Sequence, residues 1–550
     1  MRPLLLVAAV VLAGCASNAP LFPGPATCES DAQCDEGQLC FPEGCADPAK
    51  DVVVEVAGNS SLGMYPQDFA VPDGTLGQRL DFTVAKPSVL IGELQRERST
   101  GIDPTNRDVF TEAVVVRATG ESELIPGVRR SYETRFNQTE RGVFSMTVGV
   151  GRFTVMALPV NSSVPPTSVA DIRVIGGQET PAPMSFPSVE GTVVLTGRLL
   201  KYKSSSVTSS AVAMTDVAMD LQAFNAIDGQ PLSQRVPVSS GLPASTGDFI
   251  LSLNPSALKL NAVQLVASPR ESGTLVPTKT FSVAVPFMAA VTLEMGDFGL
   301  PVAVKGRVLD VTDTPVASAS VVLSGVARGG GRFRSKVVLT DESGSFAVDA
   351  LPNEFSTPYT LTVVPLPASR AAVAAPSVNI SSTYDGAPIT VRCGDRAVVT
   401  GVVSRPDGTP AAQVRIRAVD QASTPRALPV DDVEGVTNAD GSYSLTLDVG
   451  QWLLEFLPGG ALPRMGRGIT VQTELGGGTG RLREPQVIAP VRLPNGRRVS
   501  GAITDGLTTQ ALAVLRFFRV APIGGKTVSV FLGSTLSDER GQYELVLPTR

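Results

Sequence analysis

The chain has 550 residues, 46 Lys+Arg against 52 Asp+Glu, and a formal charge of −6. It is long enough for several domains, and neither the mild acidity nor the charge distribution offers the basic stripe that nucleic acid requires. It contains no histidine, which excludes Ser-His-Asp and Cys-His catalysis and the usual His-rich zinc sites.

Met1-Arg2 begins the chain with positive charge, Leu4 to Ala13 is an unbroken apolar run, and Leu12-Ala13-Gly14-Cys15 follows. A short charged start, a short apolar core and small residues before a break describe a secretory signal over 1–14. As a helix the run reaches only ~15 Å, about half of a bilayer core. No other stretch reaches 18 apolar residues. The Leu-Ala-Gly-Cys string resembles the bacterial lipobox, and that resemblance implies lipid on Cys15 after cleavage before it. Ala16 after the Cys implies an outer-membrane address by the enterobacterial sorting rule. The expected location is the cell envelope, with membrane lipid as a partner through Cys15.

Residues 15–27 carry Pro20, Pro23 and Pro25 and are expected to form a stiff, extended tether. A Cys-rich segment, 28–50, holds Cys28, Cys34, Cys40 and Cys45. In an oxidising compartment an even cluster this short implies two disulfides, with three connectivities open. A metal site is the rival, but zinc motifs favour closer Cys pairs. Asp31, Asp35 and Glu36 here, and Asp310 with Asp313 and Asp431 with Asp432 and Glu434 further on, are acidic clusters that solvated loops explain better than calcium. Cys393 is left over and is expected to be a small strand residue.

The rest of the chain repeats. A Gly, one variable residue and an aromatic recur as Gly142-Val143-Phe144, Gly247-Asp248-Phe249, Gly344-Ser345-Phe346, Gly441-Ser442-Tyr443 and Gly541-Gln542-Tyr543, at intervals of 105, 97, 97 and 100 residues. A near-fixed period means one folding unit copied in tandem. Each unit opens with a strand carrying Gly92, Gly197, Gly306, Gly401 or Gly501. In the fourth unit Asp407-Gly408 marks a tight turn before the alternating strand Val414-Arg415-Ile416-Arg417. After the Gly-x-aromatic strand, a last strand ends in Pro. Trp452 occupies there the slot of Phe153, Tyr359 and Val263, so the single Trp is expected in the core rather than on a sugar-stacking surface.

Short alternating runs between Gly and Pro punctuation predict an all-β chain: a tandem array of about five small β-sandwich, Ig-like or prealbumin-like, domains after the Cys-rich segment. The expected sandwiches are 51–165, 166–275, 276–370, 371–462 and 463–550. Pro- and Gly-bearing joints are expected at 163–185, 368–376 and 459–480, and Gly329-Gly330-Gly331 is expected at a mobile hairpin tip. The fifth unit lacks a last strand. Either it is truncated or defective, or another strand fills its open edge.

The G-x-V, D-G-x-P and T-x-x-x-G-x-[FY]-x-L pattern, clearest over 301–367 and 396–458, resembles the carboxypeptidase regulatory-like domain. The resemblance implies a transthyretin-like sandwich, grouped with carbohydrate-binding-like folds, and carries no catalytic residues. The resulting expectation is a non-catalytic, lipid-anchored structural or interaction scaffold, extended as a rod, with no cofactor and with protein or polysaccharide at the cell surface as the candidate partner. A carbohydrate-binding array is the alternative, and an enzyme or enzyme accessory subunit comes last.

Overall fold

The computed structural model describes residues 28, 33–35, 38–41, 44–46, 52–57, 65–72, 79–85, 88–98, 107–136, 142–160, 162–188, 191–203, 210–214, 217–238, 247–287, 290–354, 356–381, 384, 386–421, 427–472, 485–523 and 526–549. Among them the regular secondary structure is strand, apart from 3₁₀ geometry at Gln33 and a five-residue 3₁₀ turn at Pro255–Lys259.

The fourth sandwich shows the plan. Its first strand, Ala397–Ser404, pairs antiparallel with the fourth, Ser442–Leu447, and parallel with a seventh split into Gln486–Val487 and Val491–Arg492. Facing it is a sheet ordered third, second, fifth, sixth: Val433–Val436, Arg415–Asp420, Gly450–Leu457 and Met465–Val471. The inward residues alternate along each strand and meet in one core of Val399, Ile416, Tyr443, Leu445, Trp452 and Phe456, as a two-sheet sandwich requires. The same order recurs over strands at 88–186, 193–294 and 302–392.

The repeated signature has a packing cause. In every unit the glycine of the first strand lies directly opposite the aromatic of the fourth: Gly92 with Phe144, Gly197 with Phe249, Gly306 with Phe346, Gly401 with Tyr443 and Gly501 with Tyr543. The ring lies across the bare glycine, where an added Cβ would collide with it, and all five aromatics are buried. The glycine that opens the fourth strand is left-handed in each unit, with φ of 60°, 69°, 73°, 77° and 70°, a conformation that costs an L-residue ~1–2 kcal/mol.

The fifth sandwich is built from both ends of the described chain. Asn495–Thr504, Val514–Ile523, Lys526–Leu536 and Gln542–Thr549 supply its first four strands. Val52–Ala57 pairs antiparallel with Val514–Ile523, Gln67–Val71 pairs with Val52–Ala57, and Phe82–Thr83 pairs parallel with Asn495–Thr504. These are the places of the fifth, sixth and seventh strands, and Val52, Val54, Phe82, Ile503, Phe517 and Tyr543 share one core.

The expected boundaries are therefore corrected. The strands Val52–Ala57, Gln67–Val71 and Phe82–Thr83 leave the first sandwich for the fifth, and the open edge is filled from within the chain. The other boundaries fall about two strands too early, leaving out the sixth and seventh of each sandwich, because the expected joints at 163–185 and 459–480 hold strands themselves, Thr167–Val174, Glu179–Pro181, Met184–Phe186 and Met465–Val471. Their Pro and Gly punctuation resembles that of a linker, but here it interrupts edge strands.

Sandwich five thus adjoins sandwich four through 493–494 and sandwich one through 85–87. The five form a closed cycle of neighbours, which replaces the expected rod. Gln234 and Asn254 donate to the Val164 and Pro166 carbonyls between the first and second. The second and third share a core, and the Lys279 ammonium donates to the Gly329 carbonyl at 2.7 Å. The Gly329–Gly331 hairpin, expected to be mobile, is packed in this joint against Met295, Gly296 and Pro277. Between the third and fourth, Arg396 pairs with Asp448, whose carboxylate also accepts from the Val373 amide at 2.7 Å. Arg464 reaches Ser534 and the Phe531 ring between the fourth and fifth.

Candidate functional site

The joint between sandwiches five and one carries the densest buried chemistry. Val52–Ala57 reads Val-Val-Val-Glu-Val-Ala and is buried along almost its whole length, as a strand covered on both faces must be. Val52, Val54 and Val56 point into the fifth core, while Val53 packs with Phe518 against Ile125 of sandwich one. Glu55 also belongs to this covered side, and its cross-strand neighbour is Asp68. Two carboxylates opposite each other repel, and the site supplies cations. Arg130 lies 3.3 Å from Glu55 and 2.5 Å from Asp68, with all three side chains at 3–4% exposure. Arg516 reaches Glu55 from the solvent side at 3.1 Å. The Ser122 hydroxyl donates to Asp68 at 2.5 Å, and the Arg130 guanidinium also donates to the Val150 carbonyl.

Burial works against the Arg130 cation, but the Asp68 and Glu55 carboxylates outweigh it and hold its pKa above the ordinary value. Burial pushes the neighbouring Tyr132 phenol up to about 12. Such a buried network fixes geometry, and within it the Arg130 Nε and the Tyr132 hydroxyl are buried without a hydrogen-bond partner among the described residues.

Cys15 lies outside the described residues. Cys28 is bonded to Cys40 and Cys34 to Cys45, which selects one of the three connectivities. The sulfurs of Cys28, Cys34 and Cys45 lie close together because the two bridges are adjacent, and both bridges consume their thiols. The knot is docked: Phe41 and Ala46 enter the core of sandwich five. Cys393 is free and buried, its thiol pushed up to about 12 by burial.

Asp31 and Glu36 lie outside the described residues, and the acidic clusters at Asp310 and Asp432 serve local structure. Asp310 accepts from the Thr312 and Thr314 amides in its own turn, Asp313 pairs with Arg392, and Asp432 pairs with Arg417 at 2.6 Å. Trp452 is 1% exposed and its indole donates to the Asp448 carbonyl at 2.7 Å, so the single Trp belongs to the core. A shallow depression on sandwich one is lined by Glu121, Glu123, Arg152, Asp171 and Arg173 among others. Its charges pair among themselves, Arg152 with Asp171 at 3.0 Å and Arg173 with Glu123 at 2.8 Å.

Sequence reasoning missed a latch shared by three sandwiches. Thr340, Thr437 and Ser537 each donate a hydroxyl to the Val316, Ala411 or Gln510 carbonyl. Each accepts in turn from the amide that opens the second strand, at Ala319, Val414 or Ala513. A Thr or Ser four residues before the signature glycine was the available signal.

No family model matches this chain, and no curated protein matches it. Among solved structures it is similar to a streptococcal ancillary pilin, at 12% identity over 55% of this chain and 99% of that one, with a TM-score of 0.22. BcpA, the major pilin subunit of Bacillus cereus, is 9% identical over 55% of this chain and 99% of its own, with a TM-score of 0.14. The RrgB pilus protein from Streptococcus pneumoniae is 10% identical over 75% and 99%, with a TM-score of 0.15. At these TM-scores the pilins supply no argument about function.

Proposed function

We propose that the chain is a lipid-anchored cell-envelope protein, a non-catalytic scaffold that holds five sandwiches in a closed cycle. The observation that carries this reading is the use of the ion pairs that are buried on both sides among the described residues. Arg130 with Glu55 and Asp68, and Arg396 with Asp448, are all spent on joining sandwiches. Buried ionisable groups of an active site face a cleft; these face the next domain. The anchor rests on the Leu12-Ala13-Gly14-Cys15 string behind its apolar run, and the outer membrane is its proposed address.

The carboxypeptidase regulatory-like kinship of the units belongs to the same proposal. It is supported by the motif in the third and fourth units and by the hydroxyl latch that the fifth shares with them. Partners, protein or polysaccharide, would meet the loops at the sandwich ends.

Intact cells treated with protease, beside a Cys15→Ala control, test the anchor and its face. Shaving of the cell-bound protein, with the control released to the medium or periplasm, supports a surface-facing scaffold. Protection until the outer membrane is opened turns the scaffold toward the periplasm. A Cys15→Ala protein that stays membrane-bound overturns the anchor.

A further inference from the structure

We propose that the split fifth sandwich is also a head-to-tail joint between copies of this chain, residues 52–84 of one copy completing strands 495–549 of the next. This goes beyond the scaffold reading and does not depend on the anchor. Every copy carries one donor and one acceptor, the arrangement that generates rings or open filaments when joined between molecules.

The acceptor needs a donor. Without residues 52–84, Val499, Ile503, Leu515, Phe517 and Tyr543 lose the strands that cover them, and the edges of Val514–Ile523 and Asn495–Thr504 lose their ladders. An apolar, unpaired edge of this kind is a template for strand addition.

A second copy offers the same donor, so the bonds are the same in trans: the ladder from Val52–Arg519 to Ala57–Val514, the Glu55–Arg516 pair, and the Tyr543 hydroxyl on the Leu80 carbonyl. The donor also brings its own sandwich one, joined to it through 85–87. The Arg130 network with Glu55 and Asp68 therefore forms unchanged at the joint. No hinge within the joint has to move. The adjustment from cis to trans is spread over the other four joints, two of which are held largely by polar contacts, Gln234 and Asn254 to carbonyls in one and Arg464 to Ser534 in the other. Closure in cis is intramolecular and independent of concentration whereas the trans form is not, so crowding of copies favours the trans form.

Ala57 and Val514 are half-buried partners in the register, and single cysteines there read the joint. Two full-length copies, one Ala57→Cys and the other Val514→Cys, are produced together, extracted in detergent, oxidised and run without reductant. The native free thiol, Cys393, is buried. A disulfide-linked dimer in the mixture, absent when either variant is produced alone, is expected. The control is one chain carrying both substitutions, in which closure in cis forms the bond within the monomer. If that control loses its two thiols while the mixture yields only monomer, the proposal is overturned.

Discussion

The Arg130 guanidinium of the first sandwich lies 2.5 Å from the Asp68 carboxylate of the fifth, both side chains almost wholly out of water. The two residues are 62 positions apart but belong to domains that a linear array would place at opposite ends.

That pair sets the first prediction. Removing one partner of a buried ion pair leaves the other charge uncompensated and costs ~3–5 kcal/mol. Arg130→Met strands Asp68 and leaves Glu55 with Arg516 alone. Hydrogen exchange in Val52–Ala57 should accelerate accordingly, while exchange in Ser320–Val326 stays unchanged. Asp68→Asn in the same chain should restore part of the protection, because it removes one of the stranded charges.

The closure has a second handle in Gly501. An alanine Cβ there would fall inside the Leu80 carbonyl just before the seventh strand, which is backbone and cannot step aside without releasing the Leu80 amide from the Ser500 carbonyl. Tyr543→Phe removes only the 2.8 Å hydrogen bond to that carbonyl, worth ~1 kcal/mol. Gly501→Ala should therefore expose 79–85 to protease far more than Tyr543→Phe does. Equal effects would mean that the close approach at Gly501 is not what holds the strand.

Acid should loosen four turns together. Hydrogen bonds from Ser343, Thr409 and Ser442 hold the carboxyls of Asp341, Asp407 and Asp440 below the usual range, and the Thr508 and Leu507 amides do so for Asp505. A depressed folded-state pKa gives stability that is full above the unfolded value near 3.8 and is lost as pH falls through the folded one. Melting temperature is expected to hold from pH 7 to about 5 and to fall below about 4. Asp341→Ala should lower the plateau and flatten the acid limb. An unchanged acid slope in a variant lacking all four carboxyls would remove these turns as its cause.

Reduction should be felt at a distance from the sulfurs. Each bridge closes a short loop, with sequence separations of 12 and 11, and constrains the unfolded chain by ~3 kcal/mol on the chain-entropy model. Because Phe41 and Ala46 are seated in the fifth core, reductant should raise exchange in Val514–Ile523 and leave the third sandwich protected. Exchange that rises only in 28–46 would mean the knot contributes nothing to the closure.

The period, the all-β class, the two bridges and the place of Trp452 were legible because each rests on local spacing. The Gly-x-aromatic signature is local in the same way: its turn and its strand are adjacent in sequence, and its aromatic needs only the glycine across one ladder. Membership of Val52–Ala57 in the fifth sandwich is not local. Val54 pairs with Phe517, and no feature near either residue names the other. Two clues were present. Val52–Ala57 lacks the polar alternation of a half-exposed strand, and the fifth unit ended short of its final strands. The buried network was hidden for the same reason, since Glu55, Asp68 and Arg130 look like surface charges until their strands are brought together.

The backbone at Leu512 supplies the last prediction. Its φ is 56°, matching 56° at Ser318 and 59° at Gln413 in the equivalent turns. The latch imposes this conformation: the Leu512 amide donates to the Ser537 carbonyl, and the next amide, Ala513, donates to the Ser537 hydroxyl at 2.9 Å. Left-handed backbone costs an L-residue ~1–2 kcal/mol, and Asn tolerates it better. The Leu512 side chain is 55% exposed, so little packing is lost on replacement. Leu512→Asn should slow exchange in Val514–Ile523 by several-fold, the equivalent of ~1 kcal/mol. Ser537→Ala should do the reverse, leaving the Gln510 carbonyl and the buried Ala513 amide without their shared partner. If Leu512→Asn gains nothing while Ser537→Ala still destabilises, the latch is real but the strain at Leu512 is offset by contacts of its own side chain. Leu512→Gly, which relieves the same strain and removes those contacts, would then come out below wild type.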